Sequence, residues 1–326
     1  MDDQDAINSV EVIGHSQAKA QLDKALQSDK VHHGWMLTGP RGIGKFRLAR
    51  LIACALLSGN KSLDASQIDP KVLNLVETGS HPDCRIVQRP VDDKGKQKSE
   101  IPVSSVRSLV DFFSLRPAMG GWRICIIDSI DEMNRSGANA LLKTLEEPPE
   151  KSLFILVSHG EGVVLPTIKS RCRKLAMQPL SESETVDVLK LSGFNGGSLK
   201  TLAKSSEGRP GKALSRADKD VQSAMSIAQR MAETPLSRGS DTAKFLSAVS
   251  KSDVCFDAAM DVFLQTSRSN AVNYLAEVQF ASVWAKAHRD LVDLIHETKD
   301  LNMDKSQAAS SGLAMVQRAA AKSREA

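Results

Sequence analysis

A chain of 326 residues is too long for one ordinary domain and suits two or three. Its 41% hydrophobic and 25% charged residues are average for a globular protein, and a net charge of +4 neither demands nor excludes nucleic acid. With 4% aromatics and Tyr274 as the sole tyrosine, a surface that stacks unpaired bases is disfavoured.

The acidic start, Met1-Asp2-Asp3-Gln4-Asp5, has no apolar run behind it, and no stretch approaches membrane-spanning length. The expectation is therefore a cytoplasmic location and no membrane partner. Cys54, Cys84, Cys125, Cys172 and Cys255 are widely spaced without a C-x-x-C pair, which suits buried reduced thiols better than disulfides or zinc.

Residues 8 to 30 read as a lead-in carrying Val12-Ile13-Gly14-His15, then an amphipathic helix from Gln17 to Ser28. His15, His32 and His33 have no cysteine or carboxylate at ligand spacing, so they read as loop and strand-edge histidines and no metal site is expected. Trp35-Met36-Leu37 is a short buried strand. The loop Thr38 to Phe46 then fits G-x-x-x-x-G-K, and Leu48, Leu51, Ile52, Ala55 and Leu56 follow at helical spacing. Gly39, Gly42 and Gly44 let successive N–H groups turn toward a phosphate chain, and Lys45 reaches its outer phosphates. The next position needs a hydroxyl for Mg²⁺; here it is Phe46.

One helix is predicted around Val72 to Val76 and a second strand at Arg85-Ile86-Val87. The insert Val91 to Lys98 mixes charges around a glycine, which suits a solvated loop better than a phosphate contact. A helix from Ser104 to Leu115 would bury Val106, Leu109, Val110 and Phe113, stopped by Arg116-Pro117. After Gly120-Gly121, the run Trp122 to Asp128 reads as a central parallel strand delivering an acid to the nucleotide edge. Asp128 is thus the candidate Walker B acid, holding Mg²⁺ through water.

A helix from Ala138 to Leu145, a strand Leu153 to Val157 ending at Ser158, and a strand Lys174 to Ala176 complete a five-stranded parallel α/β sheet. Ser158 joins the candidate nucleotide-binding residues. From Leu180 onward the pattern is helical. Ser181 to Glu184 offers a capping box for a helix to Leu191, closed by Gly193; Ser198 to Ser206 stops at Gly208, and Pro210-Gly211 opens a third helix. Further helices are predicted at Ala224 to Ala232, Thr242 to Val249, Cys255 to Leu264, Val272 to His296 and Ala308 to Lys322. Met225, Phe263 and Trp284 read as core.

The order of P-loop, aspartate strand, Asn139-Ala140-Leu141-Leu142-Lys143-Thr144-Leu145-Glu146-Glu147-Pro148-Pro149 and Ser170-Arg171-Cys172 resembles the clamp-loader branch of the AAA+ ATPases. The likeness covers about residues 10 to 215 well and the rest by architecture only. It implies an AAA+ P-loop domain over 1–178, a small helical lid over 179–220 and an all-α C-terminal collar over 221–326. It also implies a hetero-pentamer of this chain with ATPase subunits and a further loader subunit. Such an assembly opens a sliding clamp and places it on primer-template DNA. Arg171 would be an arginine finger serving the neighbour's ATP in trans, where such a group carries about 10³ to 10⁵ in rate.

The same resemblance marks departures. Hydrolysing members carry Ser or Thr, Glu, and a lid arginine where this chain has Phe46, Ser129 and Gly211, so magnesium ligand, water activator and in-cis charge are all missing. Arg209, Asp131 and Glu132 lie close in sequence, yet a shift of two or three residues aims them elsewhere. Only Cys84 lies where the family's zinc module would be, so no zinc is expected. The resulting expectation is a non-catalytic subunit that requires no cofactor and holds ATP or ADP weakly or not at all. The alternatives are an active ATPase motor subunit and one that binds ATP without hydrolysing it.

Overall fold

The computed structural model describes residues 11–28, 31–91, 98, 100–119, 121–160, 164–194, 199–216, 218–233, 239–301 and 303–323. The chain divides into two compact units, residues 1–213 and 214–326. Residues 179–213, part of the expected lid, cluster with the sheet, and most of the 91–98 insert lies outside the described residues.

In the first unit α1 (Ser16–Gln27) precedes β1 (Gly34–Thr38), α2 (Lys45–Leu57), α3 (Pro70–Glu77), β2 (Cys84–Gln88), α4 (Val103–Ser114), β3 (Arg123–Asp128) and α5 (Arg135–Glu146). Then come β4 (Ser152–Ser158), the single turn α6 (Pro166–Lys169), β5 (Arg173–Ala176), α7 (Glu182–Leu191), α8 (Leu199–Ser205) and α9 (Pro210–Ser215), which runs past the boundary. The five strands are all parallel, in the order β2-β3-β4-β1-β5.

Alternation explains why the strands read as unbroken apolar runs. Leu37, Ile124, Ile126, Leu153 and Ile155 face a core with Leu48, Leu51, Ile52 and Leu73 of α2 and α3. Their neighbours Met36, Cys125, Ile127, Phe154 and Leu156 face Val106, Leu109, Phe113, Leu141 and Leu145 of α4 and α5. Both faces are buried, so period two disappears from the hydrophobicity of the sequence.

One expectation for this unit is corrected and another is met. On α4, Val110 is 44% exposed, and Phe112 takes the place in the core expected for it. This 12-residue helix presents Val106, Leu109, Phe112 and Phe113, a stripe that takes Phe112 in place of Val110. The capping box does form: Ser181 Oγ accepts from Glu184 N, and Ser181 N donates to Glu184 Oε2 at 2.8 Å.

The second unit is built from α10 (Lys219–Glu233), α11 (Gly239–Val249), α12 (Asp253–Asn273), α13 (Val278–Asp300) and α14 (Lys305–Lys322). Phe245, Phe256, Phe263, Trp284, Leu291 and Val316 fill its core. The predicted helix from Val272 to His296 is here two helices. α12 runs on to Asn273, and the chain turns at Tyr274 to Glu277, leaving Val272, Leu275 and Val278 exposed. Those apolar residues mimic a buried stripe in sequence, which is why the expected helix crossed the turn. No helix among the described residues is long and apolar enough to cross a membrane.

At the N-terminal edge of the sheet a polar cluster is sealed in. Asp83, 1% exposed, accepts from Ala118 N (2.8 Å) and Met119 N (2.9 Å) and lies 3.6 Å from Arg123. Arg123 donates to the carbonyls of Phe112 and Arg116 and lies over the Phe112 ring.

Candidate functional site

Because the strands are parallel, β1, β3 and β4 deliver Thr38, Asp128 and Ser158 to one edge, with Thr38 opposite Ser158 and Asp128 opposite Val157. The loop after β1 therefore meets the ends of both neighbouring strands. Gly39, at φ +145°, passes so close to the chain after β5 that a Cβ would stand 2.3 Å from Met177 O. Only glycine fits there.

Lys45 is 3% exposed and donates to Gly39 O (2.5 Å) and Pro40 O (2.6 Å), closing the loop on itself. An ammonium has three N–H groups, so one is left to meet an outer phosphate. Burial lowers the Lys45 pKa to about 8 against the attraction of Asp131 and Asp128, and Arg41 adds to the lowering. The lead-in also reaches the loop: His15 Nε2 donates to Ile43 O at 2.8 Å, and burial holds its pKa below the usual value. Sequence reasoning placed His15 in a loop but gave no sign that it braces this one.

The position after Lys45 offers no hydroxyl to a magnesium ion. Phe46 packs its ring against the core and offers no oxygen. Asp128, the other metal-holding candidate, has its pKa raised to about 6 by burial and by Glu132, with Arg41, Lys45 and Arg89 opposing.

The carboxylates that could replace a water-activating glutamate are already engaged. Ser129 is 2% exposed and donates through Oγ to Asp131 Oδ2 at 2.7 Å. Asp131 also accepts from Ser158 Oγ (2.8 Å) and from His159 N. Ser158, read from sequence as a nucleotide contact, thus directs its hydroxyl at Asp131, and Gly160 O lies 3.1 Å away. Glu132 forms ion pairs with Arg89 (2.7 Å) and with Arg41 of the loop (3.5 Å). Arg209 pairs at 2.6 Å with Glu207, two residues away.

Gly211, the second residue of α9, sits directly on the loop. Its N–H donates to Gly42 O at 2.9 Å, and a Cβ at 211 would stand 2.9 Å from Gly42 Cα. No side chain enters there without moving backbone. Gly211→Ala is expected to destabilise the first unit by about 1 to 3 kcal/mol, the usual cost of overpacking. Urea unfolding checks this: a midpoint equal to that of the unsubstituted chain rejects the contact.

Arg171 lies elsewhere. It precedes β5, whose Arg173 is opposite Trp35 at the start of β1, and its carbonyl packs against Gly34, where a Cβ would stand 3.1 Å from it. That is the edge of the sheet away from Thr38, about 13 Å distant along β1 at the usual strand rise. The side chain is 34% exposed, donates to Thr167 O at 2.8 Å and forms an ion pair with Glu146 at 2.7 Å. The structure thus brings Gly39, Gly42, Gly44, Lys45, Phe46, Asp128 and Ser158 together and leaves Arg171 apart. Among the described residues, no group of three or more His, Cys, Asp or Glu is arranged to hold a metal ion.

The model of the family described as DNA polymerase III, delta subunit, matches residues 14–181, slightly more than half of the chain. The delta' subunit of DNA polymerase III from Pseudomonas aeruginosa is 37% identical over 140 residues, covering 43% of this chain and 41% of that protein. The gamma subunit from Buchnera aphidicola is 31% identical over 180 residues, covering 55% of this chain and 48% of that one. The chain thus spans less than half the length of each of these relatives. A gamma subunit-related protein of DNA polymerase III from Thermotoga maritima overlays with a TM-score of 0.46 at 18% identity, over 92% of this chain and 99% of that one.

Proposed function

From the premise that the chain belongs to the family described as DNA polymerase III, delta subunit, we propose that it is a delta prime-like subunit of a bacterial clamp loader. In this reading it is a largely non-catalytic stator in the cytoplasm. Residues 1–178 form the AAA+ domain, 179–220 a lid and 221–326 a collar segment. Its partners are the gamma or tau ATPase subunits and a delta subunit in a hetero-pentamer, acting on a sliding clamp and primer-template DNA. No cofactor is required, ATP or ADP is held weakly or not at all, and no zinc is involved.

The observation that carries the reading is the separation of Arg171 from the chain's own loop, at opposite edges of one sheet. A finger must reach the γ-phosphate, and no side chain spans a strand's length, so Arg171 can serve only an ATP held by another subunit. The local site supports the same conclusion. Ser129 stands where hydrolysing relatives carry a glutamate, and the carboxylates nearby are bonded to Ser129, Ser158, Arg89 and Arg41. General-base and electrostatic help are thereby both withdrawn.

Purified chain is expected to turn over ATP no faster than its Lys45→Ala variant. Radiolabelled ATP hydrolysis measures this, and Lys45-dependent turnover would establish the competing reading of an active motor subunit. The closed loop with one ammonium N–H to spare favours a second possibility, nucleotide binding without hydrolysis. Equilibrium ATP binding that Lys45→Ala abolishes, without turnover, would select it.

A further inference from the structure

The finger reading leaves open what holds a long, flexible side chain ready for a phosphate it meets only across an interface. We propose that Glu146 is a positioning residue for Arg171, so that the finger is preset within its own subunit. The inference rests on the trans-acting role of Arg171 proposed above.

Three contacts converge on Arg171. Its backbone is seated against Gly34, where a Cβ would come within 3.1 Å of both Arg171 O and Cys172 Sγ. Its Nη1 donates to Thr167 O at 2.8 Å, one turn back. Its Nη2 meets Glu146 Oε1 at 2.7 Å. Glu146 is the last residue of α5, so the negative end of that helix adds to the pull of the carboxylate. A guanidinium offers five N–H groups; Nη1 also reaches Ser170 Oγ at 3.4 Å, so these three contacts leave Nε–H and the second hydrogen of Nη2 for an anion.

The alternative role for a carboxylate here is to sequester the arginine. Exposure decides against it: the Arg171 and Glu146 side chains are 34% and 47% exposed. Water screens such a pair strongly, so its attraction is weak beside that of a polyphosphate in a closed interface. What a weak pair supplies is orientation. Arginine loses much rotamer freedom when it engages, and a preset rotamer moves that loss to folding.

The test uses the whole reconstituted loader with its ATPase subunits, clamp and primed DNA. Glu146→Ala is expected to lower kcat for the Arg171-dependent hydrolysis about 10-fold with the KM for ATP unchanged, well short of the loss from Arg171→Ala itself. Glu146→Gln, which keeps the length and an acceptor oxygen, is expected to recover to within about threefold of the unsubstituted rate. Glu146→Asp keeps the charge but shortens the reach, and is expected to resemble Ala. In the double variant, Glu146→Ala should add nothing to Arg171→Ala.

A rate unchanged or raised by Glu146→Ala, in a complex that Arg171→Ala slows, overturns the positioning role alone and leaves the finger standing. A rate unchanged by Arg171→Ala removes the finger and this proposal together. Should Glu146→Ala fail to assemble, the Gln and Asp variants decide: equal rates for the two reject the proposal.

Discussion

Arg171→Ala, assembled into the loader, is expected to slow ATP hydrolysis at the one interface it faces by about 10³ to 10⁵-fold, the range a finger carries in nucleotide hydrolases. The chain itself should barely notice. The side chain lost is about one-third exposed, and its ion pair with Glu146 is of the partly solvated kind worth about 0 to 1 kcal/mol. Thermal unfolding of the isolated variant should therefore match the unsubstituted chain, which separates a lost catalytic group from a damaged fold. Single-turnover phosphate release, started by adding clamp and primed DNA, resolves the affected interface from the others. Arg171→Lys sharpens the test. It keeps the charge and loses the planar fork, so recovery should be partial. Phosphate release from the Ala variant with every kinetic phase intact would refute the role.

How much of this was legible in the sequence depends on the range of the interaction. The central strands β1, β3 and β4 were, because burial on both faces leaves apolar runs such as Ile124 to Ile127 with an acid at the end, whereas β2 and β5 are partly exposed and gave shorter signals. The loss of the magnesium hydroxyl at Phe46 was legible too, because the loop motif is local. Val110 was misplaced because a helical stripe can be drawn one position to either side, and only the facing sheet decides which. The break at Tyr274 to Glu277 was hidden because exposed Val272, Leu275 and Val278 imitate a core pattern. The opposite-edge placement of Arg171 depends on β5 pairing with β1, a register that no local pattern states. Nor does any local pattern announce the Gly211 contact with Gly42 or the bonds that Asp131 draws from Ser129 and Ser158. The Gly211–Gly42 and Ser158–Asp131 bonds join residues 27 or more positions apart, and the Ser129–Asp131 bond, though local, follows no sequence motif.

Asp83→Ala is expected to cost the first unit about 3 to 5 kcal/mol, the loss typical when one partner of a buried ion pair is removed. Asp83 carries two loads at once. Its carboxylate oxygens accept the backbone N–H groups of Ala118 and Met119, which hold the turn into β3, and it sits 3.6 Å from the nearly buried Arg123 guanidinium. Without Asp83 the charge of Arg123 is left with the carbonyls of Phe112 and Arg116 and the Phe112 ring, while two amides lose their acceptor. Asp83→Asn, which preserves an acceptor but not the charge, should cost about 1 to 3 kcal/mol. Adding Arg123→Met to Asp83→Ala should cost less than the sum of the single losses, because no orphaned charge remains. Urea unfolding of the four variants measures all of these, and additive losses in the double variant would show that the pair is not coupled. The cluster lies before β2 and β3, at the edge of the sheet away from the phosphate loop. At temperatures where Asp83→Asn remains folded, its nucleotide binding should therefore equal that of the unsubstituted chain. A parallel loss of binding would mean that the two edges of the sheet act as one mechanical unit.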